Sequence, residues 1–194
     1  MIRFFDIIFS FFGLVLLTPV LLVISVWILL DSRGGIFFLQ SRVGKDDGDF
    51  LLMKFRSMRM NSEIRGGLTI GERDNRITRA GLFLRKFKLD ELPQLINVLK
   101  GDMSFVGPRP ELRKYVELYT PDQRKVLSVR PGITDYASLE YIRENEILGR
   151  SPDPERDYIE KIMPEKIILN MRFINDPGLG NYFRILNLTF KNIF

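Results

Sequence analysis

Two adjacent carboxylates, Asp90 and Glu91, stand in the stretch Lys88-Leu89-Asp90-Glu91-Leu92-Pro93, and Gly107-Pro108-Arg109-Pro110 follows shortly after. An ionised Asp is a nucleophile toward phosphorus, and a second carboxylate beside it suits a hard divalent cation. Arg76, Arg79, Arg85, Lys86 and Lys88 lie in the window 76–88, which contains no acid, so a phosphate approaching the pair meets positive charge. Leu89, Leu92, Leu95 and Ile96 predict a buried stripe on a helix that starts here, with Asp90 at or next to its N-cap and Pro93 in its first turn. Unpaired amides at such a helix end favour an ionised carboxylate and attract phosphate. The same residues also read as an ordinary capped helix start. Arg109, stiffened by two prolines, reads either as a bidentate grip on phosphate or as a rigid turn.

Composition narrows the chemistry. The chain has 194 residues, no Cys and no His. That excludes disulfides, thiolate nucleophiles, His general bases and His-ligated zinc. What remains is carboxylates, Lys/Arg, hydroxyls, backbone groups and an oxygen-held cation. Lys and Arg number 29 against 24 Asp and Glu, a net charge of +5. That excess favours polyanionic partners such as lipid headgroups, nucleotides or nucleic acid, and is also compatible with an ordinary solvated surface.

Positioning these residues requires a soluble unit, and the chain begins with something else. From Ile7 to Leu30 there is no charged residue, long enough to cross a hydrocarbon core. Thr18-Pro19 falls mid-run, where proline removes a helical N–H and clashes with the carbonyl of Val15, and the Thr18 hydroxyl can bond a freed carbonyl. The run reads as a kinked spanning helix or as a helix-break-helix that enters and leaves by one face. Arg3 on one side and Arg33, Arg42 and Lys45 on the other leave both ends eligible for the cytoplasm.

After it the pattern is α+β. Residues 36–40 and 50–56 read as two strands joined by the turn Lys45-Asp46-Asp47-Gly48, and Met60 to Asn75 as a polar loop. Thr78 is the expected N-cap of a helix to about Lys86, and a helix from about Glu91 should stop at Gly101. Helices are expected at 111–119, 122–127 and 154–174, and a turn at Arg130-Pro131-Gly132-Ile133-Thr134. Asn181 to Phe194 mixes aromatics with Arg184 and Lys191, which suits a helix lying in a membrane interface or one packed on the core.

The run from Leu89 to Pro110 closely resembles the bacterial sugar transferase family, the monotopic polyprenol-phosphate phosphoglycosyl transferases. Thr18-Pro19, Gln40-Ser41-Arg42-Val43-Gly44, Lys54-Phe55-Arg56-Ser57-Met58 and Arg130-Pro131-Gly132-Ile133-Thr134 match in order, so the resemblance covers roughly residues 1–135. It implies a re-entrant membrane helix over residues 1–31, broken at Thr18 and Pro19, and a membrane-interface catalytic domain over 32–194. That domain would be small and mostly helical, with a short β-hairpin and interfacial amphipathic helices. The resemblance also implies that Asp90 attacks the β-phosphate of a UDP-sugar, releases UMP and carries a covalent phosphosugar. A polyprenol phosphate such as undecaprenyl phosphate then takes that phosphosugar. Mg²⁺ is implied as cofactor with Glu91 as its residue, while Lys54, Arg85 and Arg109 match the family's phosphate-contacting basic positions. Membrane lipids, but no nucleic acid, are implied as partners, at the cytoplasmic face of the bacterial inner membrane. The chain looks like a small member without a multi-pass domain. Many members continue the Arg-Pro-Gly-Ile-Thr run with Gly, an aromatic and Ala-Gln. Here Asp135-Tyr136-Ala137-Ser138-Leu139-Glu140 stands instead, expected near the sugar or nucleotide. The rival readings are a membrane-tethered binding protein with a basic face, and a transferase that releases UDP.

Overall fold

A computed structural model describes residues 1–59 and 76–193, so the loop expected at Met60 to Asn75 lies outside the described residues. Helix α1, Ile2–Asp31, is uninterrupted and about 45 Å long at the usual rise. It is long and apolar enough to cross a membrane. The break expected at Thr18-Pro19 is corrected in one respect, because the backbone stays helical through the pair. Pro19 cannot donate to the Val15 carbonyl, and the Thr18 hydroxyl donates to the Leu14 carbonyl at 2.7 Å.

Both ends of α1 pack on the rest of the protein and Gly13 lies against Leu95, while the turns around Thr18-Pro19 are largely exposed. Asp6 and Ser10 are buried near one end and Ile24 and Ile28 near the other, whereas Val15, Leu16 and Val20 are exposed. At the first end Arg3 donates to the carbonyls of Val98 and Leu99, and the Asp6 carboxylate accepts from the Ser104 hydroxyl, the Phe105 amide and the Tyr182 hydroxyl at 3.0–3.1 Å. At the other, Ile24 and Ile28 form a cluster with Phe55 and Leu84, and the Asp31 carboxylate accepts from the Ala80 amide at 3.0 Å. Trp27 meets Phe83 with ring centroids 5.3 Å apart.

Strands β1 (Phe37–Val43) and β2 (Asp49–Phe55) form the expected antiparallel hairpin, Phe37 facing Phe55 and Val43 facing Asp49. The turn is a single 3-10 turn in which Asp46 and Asp47 adopt positive φ, a conformation that Asp tolerates better than bulkier residues. Helix α2 is Arg79–Lys86, capped as expected by the Thr78 hydroxyl, which accepts from the Gly81 amide at 2.9 Å. Helix α3, Gln94–Lys100, ends at Gly101, whose φ of 101° only glycine adopts cheaply. The carbonyls left over there take Arg3 and, at Gly101, the Arg130 Nε at 2.8 Å.

Strand β3 (Ser104–Val106) pairs in parallel with β4 (Gly132–Thr134), so the turn expected at 130–134 is in fact half of a two-stranded sheet. Gly107 and Gly132 permit that approach: a Cβ on Gly132 would lie 2.1 Å from the Gly107 nitrogen. The helix expected at 111–119 is shorter than read, α4 (Arg113–Val116), and the one expected at 122–127 is a 3-10 segment shifted by one residue, Gln123–Ser128. Helices α5 (Tyr136–Glu140), α6 (Glu144–Gly149), α7 (Pro154–Asp157) and α8 (Met163–Asn175) follow, a π turn joining the last two. Helix α9, Leu179–Ile193, buries Tyr182 and Ile185 against Val106 and Phe173, a core helix on that face, while Phe183 and Phe190 stay outward.

Candidate active site

Three elements converge on the carboxylate pair. The first is β2, which delivers Lys54. Its free edge is held by the Asn97 amide on α3, which accepts from the Met53 amide at 2.9 Å and donates to the Leu51 carbonyl at 2.8 Å. The side chain thus imitates a neighbouring strand and fixes the register of Lys54 beside α3.

The second is the segment Leu89–Glu91. Asp90 does not cap α3, whose N-cap is Pro93; instead it lies in a separate 3-10 turn one step earlier. That turn is opened by Lys88 at φ 54°, a left-handed conformation that costs a side-chain-bearing residue about 1–2 kcal/mol. Leu89 and Leu92 pack on the Ile24–Ile28–Phe55–Leu84 cluster and offset this cost by burial. The turn therefore draws Asp90 inward, to 8% exposure.

The third is the Pro108-Arg109-Pro110 loop that leaves β3. The Gly132 amide donates to the Pro108 carbonyl at 3.0 Å, and Arg42 on β1 reaches the Pro110 carbonyl at 3.2 Å and Glu111 at 3.3 Å. Asp135 accepts from the Arg109 amide at 2.8 Å.

The result is a clamp on Glu91. The Lys54 ammonium lies 2.9 Å from Glu91 Oε1, and the Arg109 guanidinium donates to Oε1 at 2.5 Å and to Oε2 at 3.3 Å. Burial opposes the Glu91 charge, but Arg109 and then Lys54 overcome it and hold the carboxyl well below the ordinary range. Glu91 in turn raises Arg109. Burial pulls the Lys54 ammonium down, and Glu91 pulls it back. Among the described residues no cation is within ion-pair distance of Asp90. Burial pushes its carboxyl up, Lys54 and Arg85 opposing and Glu91 assisting.

Of the predicted site residues, Asp90, Glu91, Lys54 and Arg109 are brought together. Arg85 acts on Asp90 through its field, while its Nε donates to the Ser57 hydroxyl at 2.9 Å. Thr18 and Pro19 lie in the exposed middle of α1. In the segment 135–140, Asp135 is buried beneath the Arg109 loop and N-caps α5. Sequence reasoning passed over Asn97 and Asp6. Asp6 carried a signal, an acid at the edge of an otherwise apolar run.

An acidic pair in which one carboxylate is clamped by two cations and its neighbour is buried with none among the described residues is suited to attack on a phosphate that draws the cations to itself. Residues 1–194 match the family described as bacterial sugar transferase. A UDP-N-acetylgalactosamine-undecaprenyl-phosphate N-acetylgalactosaminephosphotransferase of Aeromonas hydrophila is 45% identical over 137 residues, 69% of this chain and 32% of that protein. UDP-glucose:undecaprenyl-phosphate glucose-1-phosphate transferases of Xanthomonas campestris and Escherichia coli are 36% and 34% identical, each over 95% of this chain and over 37% and 38% of their own lengths. The chain therefore spans little more than a third of these relatives. With the match running its whole length, the chain belongs to the bacterial sugar transferase family.

Proposed function

We propose that the protein transfers a sugar-1-phosphate from a UDP-sugar to a polyprenol phosphate, undecaprenyl phosphate by analogy with its relatives, and releases UMP. The observation that carries this reading is the unequal pair: Glu91 clamped by Lys54 and Arg109, Asp90 buried beside it with no such partner among the described residues. The donor's diphosphate competes with Glu91 for Lys54 and Arg109, both built for phosphate oxygens. An Asp90 oxygen then attacks the β-phosphorus, the P–O bond to UMP breaks, and UMP leaves with that bonding pair. The phosphosugar stays on Asp90 as an acyl phosphate. A phosphate oxygen of the polyprenol phosphate attacks the same phosphorus, the bond to Asp90 breaks, and the carboxylate is restored.

The family is generally metal-dependent. The donor set here fits Mg²⁺, which takes one or two carboxylates and completes its shell with substrate phosphate and water. Glu91 would hold it next to Asp90, and the ion would supply neutralisation of diphosphate charge.

The anchor reading is re-entrant, with the protein monotopic on the cytoplasmic face of the bacterial inner membrane. Its support is that both ends of α1 pack on one body while the turns around Thr18-Pro19 remain exposed and apolar. Residues 1–31 then form the membrane element and 32–194 the catalytic part. Exposed Leu82, Phe83 and Phe87 beside Lys86 on α2, and Phe183 and Phe190 beside Arg184 and Lys191 on α9, suit an interfacial position.

The test is nucleotide release by the full chain in detergent with Mg²⁺, polyprenol phosphate and a donor panel that includes UDP-N-acetylgalactosamine and UDP-glucose. UMP release by the wild type and not by Asp90→Asn is expected, as is a phosphosugar adduct on Asp90 when the acceptor is omitted. Release of UDP, or an Asp90→Asn protein as active as wild type, overturns the reading.

A further inference from the structure

Pro108 and Pro110 carry no N–H, so Arg109 supplies the single main-chain donor of the loop 108–110. That donor is taken by Asp135 Oδ2 at 2.8 Å. The same oxygen accepts from Asn170 Nδ2 on α8 at 2.8 Å, and the other oxygen takes the Ser138 amide at the start of α5. Asp135 is 1% exposed and Asn170 5%. A buried carboxylate therefore ties three elements together, and one of its ties ends on the residue that reaches Glu91. We propose that Asp135 is a positioning residue for the reaction: it fixes the Arg109 main chain and thereby sets where the guanidinium meets Glu91 and the donor's phosphates.

Among the described residues, the other hydrogen bonds to the main chain of 108–110 are made to its carbonyls, at Pro108 by the Gly132 amide and at Pro110 by Arg42. Carbonyl contacts at two prolines fix the ends of the loop. The orientation of the peptide plane between them is set by the Arg109 N–H. Loss of its acceptor leaves a donor beneath the loop that turns toward water, and the guanidinium turns with it.

The inference rests on the phosphoglycosyl transfer reading, and its test separates the two. Asp135→Ser keeps an N-cap for α5 but cannot also span to Arg109 and Asn170. Stranding the Arg109 and Asn170 amides should lower Tm, and at a temperature where the variant remains folded it should turn over about 10- to 100-fold more slowly, since an arm displaced by about 1 Å costs that much. The deficit should vanish in an Arg109→Ala background, where there is no guanidinium to place. Asp135→Asn, with its amide oxygen in the place of Oδ2, still accepts from the Arg109 amide and from Asn170 and loses only the Ser138 contact, so most of the rate should return. Amide hydrogen exchange gives a readout that needs no turnover. The prolines contribute no exchanging amide, so residues 108–110 report Arg109 alone, and its protection should be lost in Asp135→Ser and kept in Asp135→Asn. An unchanged rate and unchanged protection in Asp135→Ser overturn the inference, as does an equal deficit with and without Arg109. A wild type inactive with every donor counts against the functional reading, while the exchange result still decides the role of Asp135.

Discussion

Two carboxylate sites in this protein are built in opposite ways. At the foot of α1, Asp6 is 1% exposed and takes neutral donors: the Ser104 hydroxyl, the Phe105 amide and the Tyr182 hydroxyl. At the Leu89–Glu91 turn, Glu91 takes two cations on flexible side chains, and Asp90 takes none among the described residues. Neutral donors fixed in a strand and a packed helix cannot leave without unfolding something. Cations on long side chains can be drawn away by a stronger anion. The first arrangement is a fastening and the second is an exchangeable site, although both satisfy a carboxylate in a protected setting.

The sharpest way to break this comparison is Asp90→Asn. Turnover should fall at least about 1000-fold, measured as UMP release, because an amide cannot form the acyl phosphate. Next come Lys54→Met and Arg109→Lys, which should each weaken donor use about 10-fold, read as kcat/KM, through loss of one charged contact or of the bidentate fork. Asp6→Ala should act in the other currency. It strands donors between α1, β3 and α9 and should cost about 3 kcal/mol of stability by thermal or denaturant unfolding. A destabilised Asp90→Asn protein, or an unaffected Asp6→Ala one, would erase the distinction.

The smallest effects are in pH and Tm, and they carry opposite signs within the pair. Glu91 has a folded pKa below its ordinary value of 4.5, so the stability it contributes is complete above that value and is lost as pH falls through the lowered pKa. Asp90 has a folded pKa above its ordinary 3.8. The fold must therefore bury its charge as pH rises through that raised value, and stability declines there. Asp90→Asn should accordingly raise Tm at neutral pH while abolishing turnover, and Glu91→Gln should lower it. Unfolding scans of the three proteins at pH 7 and at pH 4 check both signs.

Features carried by short-range patterns were legible in the sequence. Strand β2 falls within one residue of its predicted bounds, while β1 starts one residue later and runs three residues further than read, and Thr78 and Gly101 cap their helices as read, since each cap is decided within one turn of chain. The site residues on the motif, Asp90, Glu91, Lys54 and Arg109, do converge. What escaped depends on distant partners. Gly132–Thr134 becomes a strand only because Ser104–Val106 lies beside it, a pairing that a three-residue pattern cannot announce. The N-cap was placed one turn early because the left-handed Lys88 and the proline at 93 split one expected helix into a 3-10 turn and a helix proper. Asp135 sits far from Arg109 in the chain, and only the sheet that joins β3 to β4 places it under the loop.

The contact between Trp27 and Phe83 has a practical consequence. The chain contains one tryptophan, and it lies on α1 near the junction with α2, partly exposed, with Phe87 tilted against the far side of Phe83. Indole emission shifts to the blue as its surroundings lose water. Without any added label, the fluorescence of this protein thus watches a single point, the shoulder where the apolar helix joins the rest of the protein. Titration with lipid vesicles, followed by a quencher confined either to the bilayer or to the buffer, would give the depth of that shoulder directly.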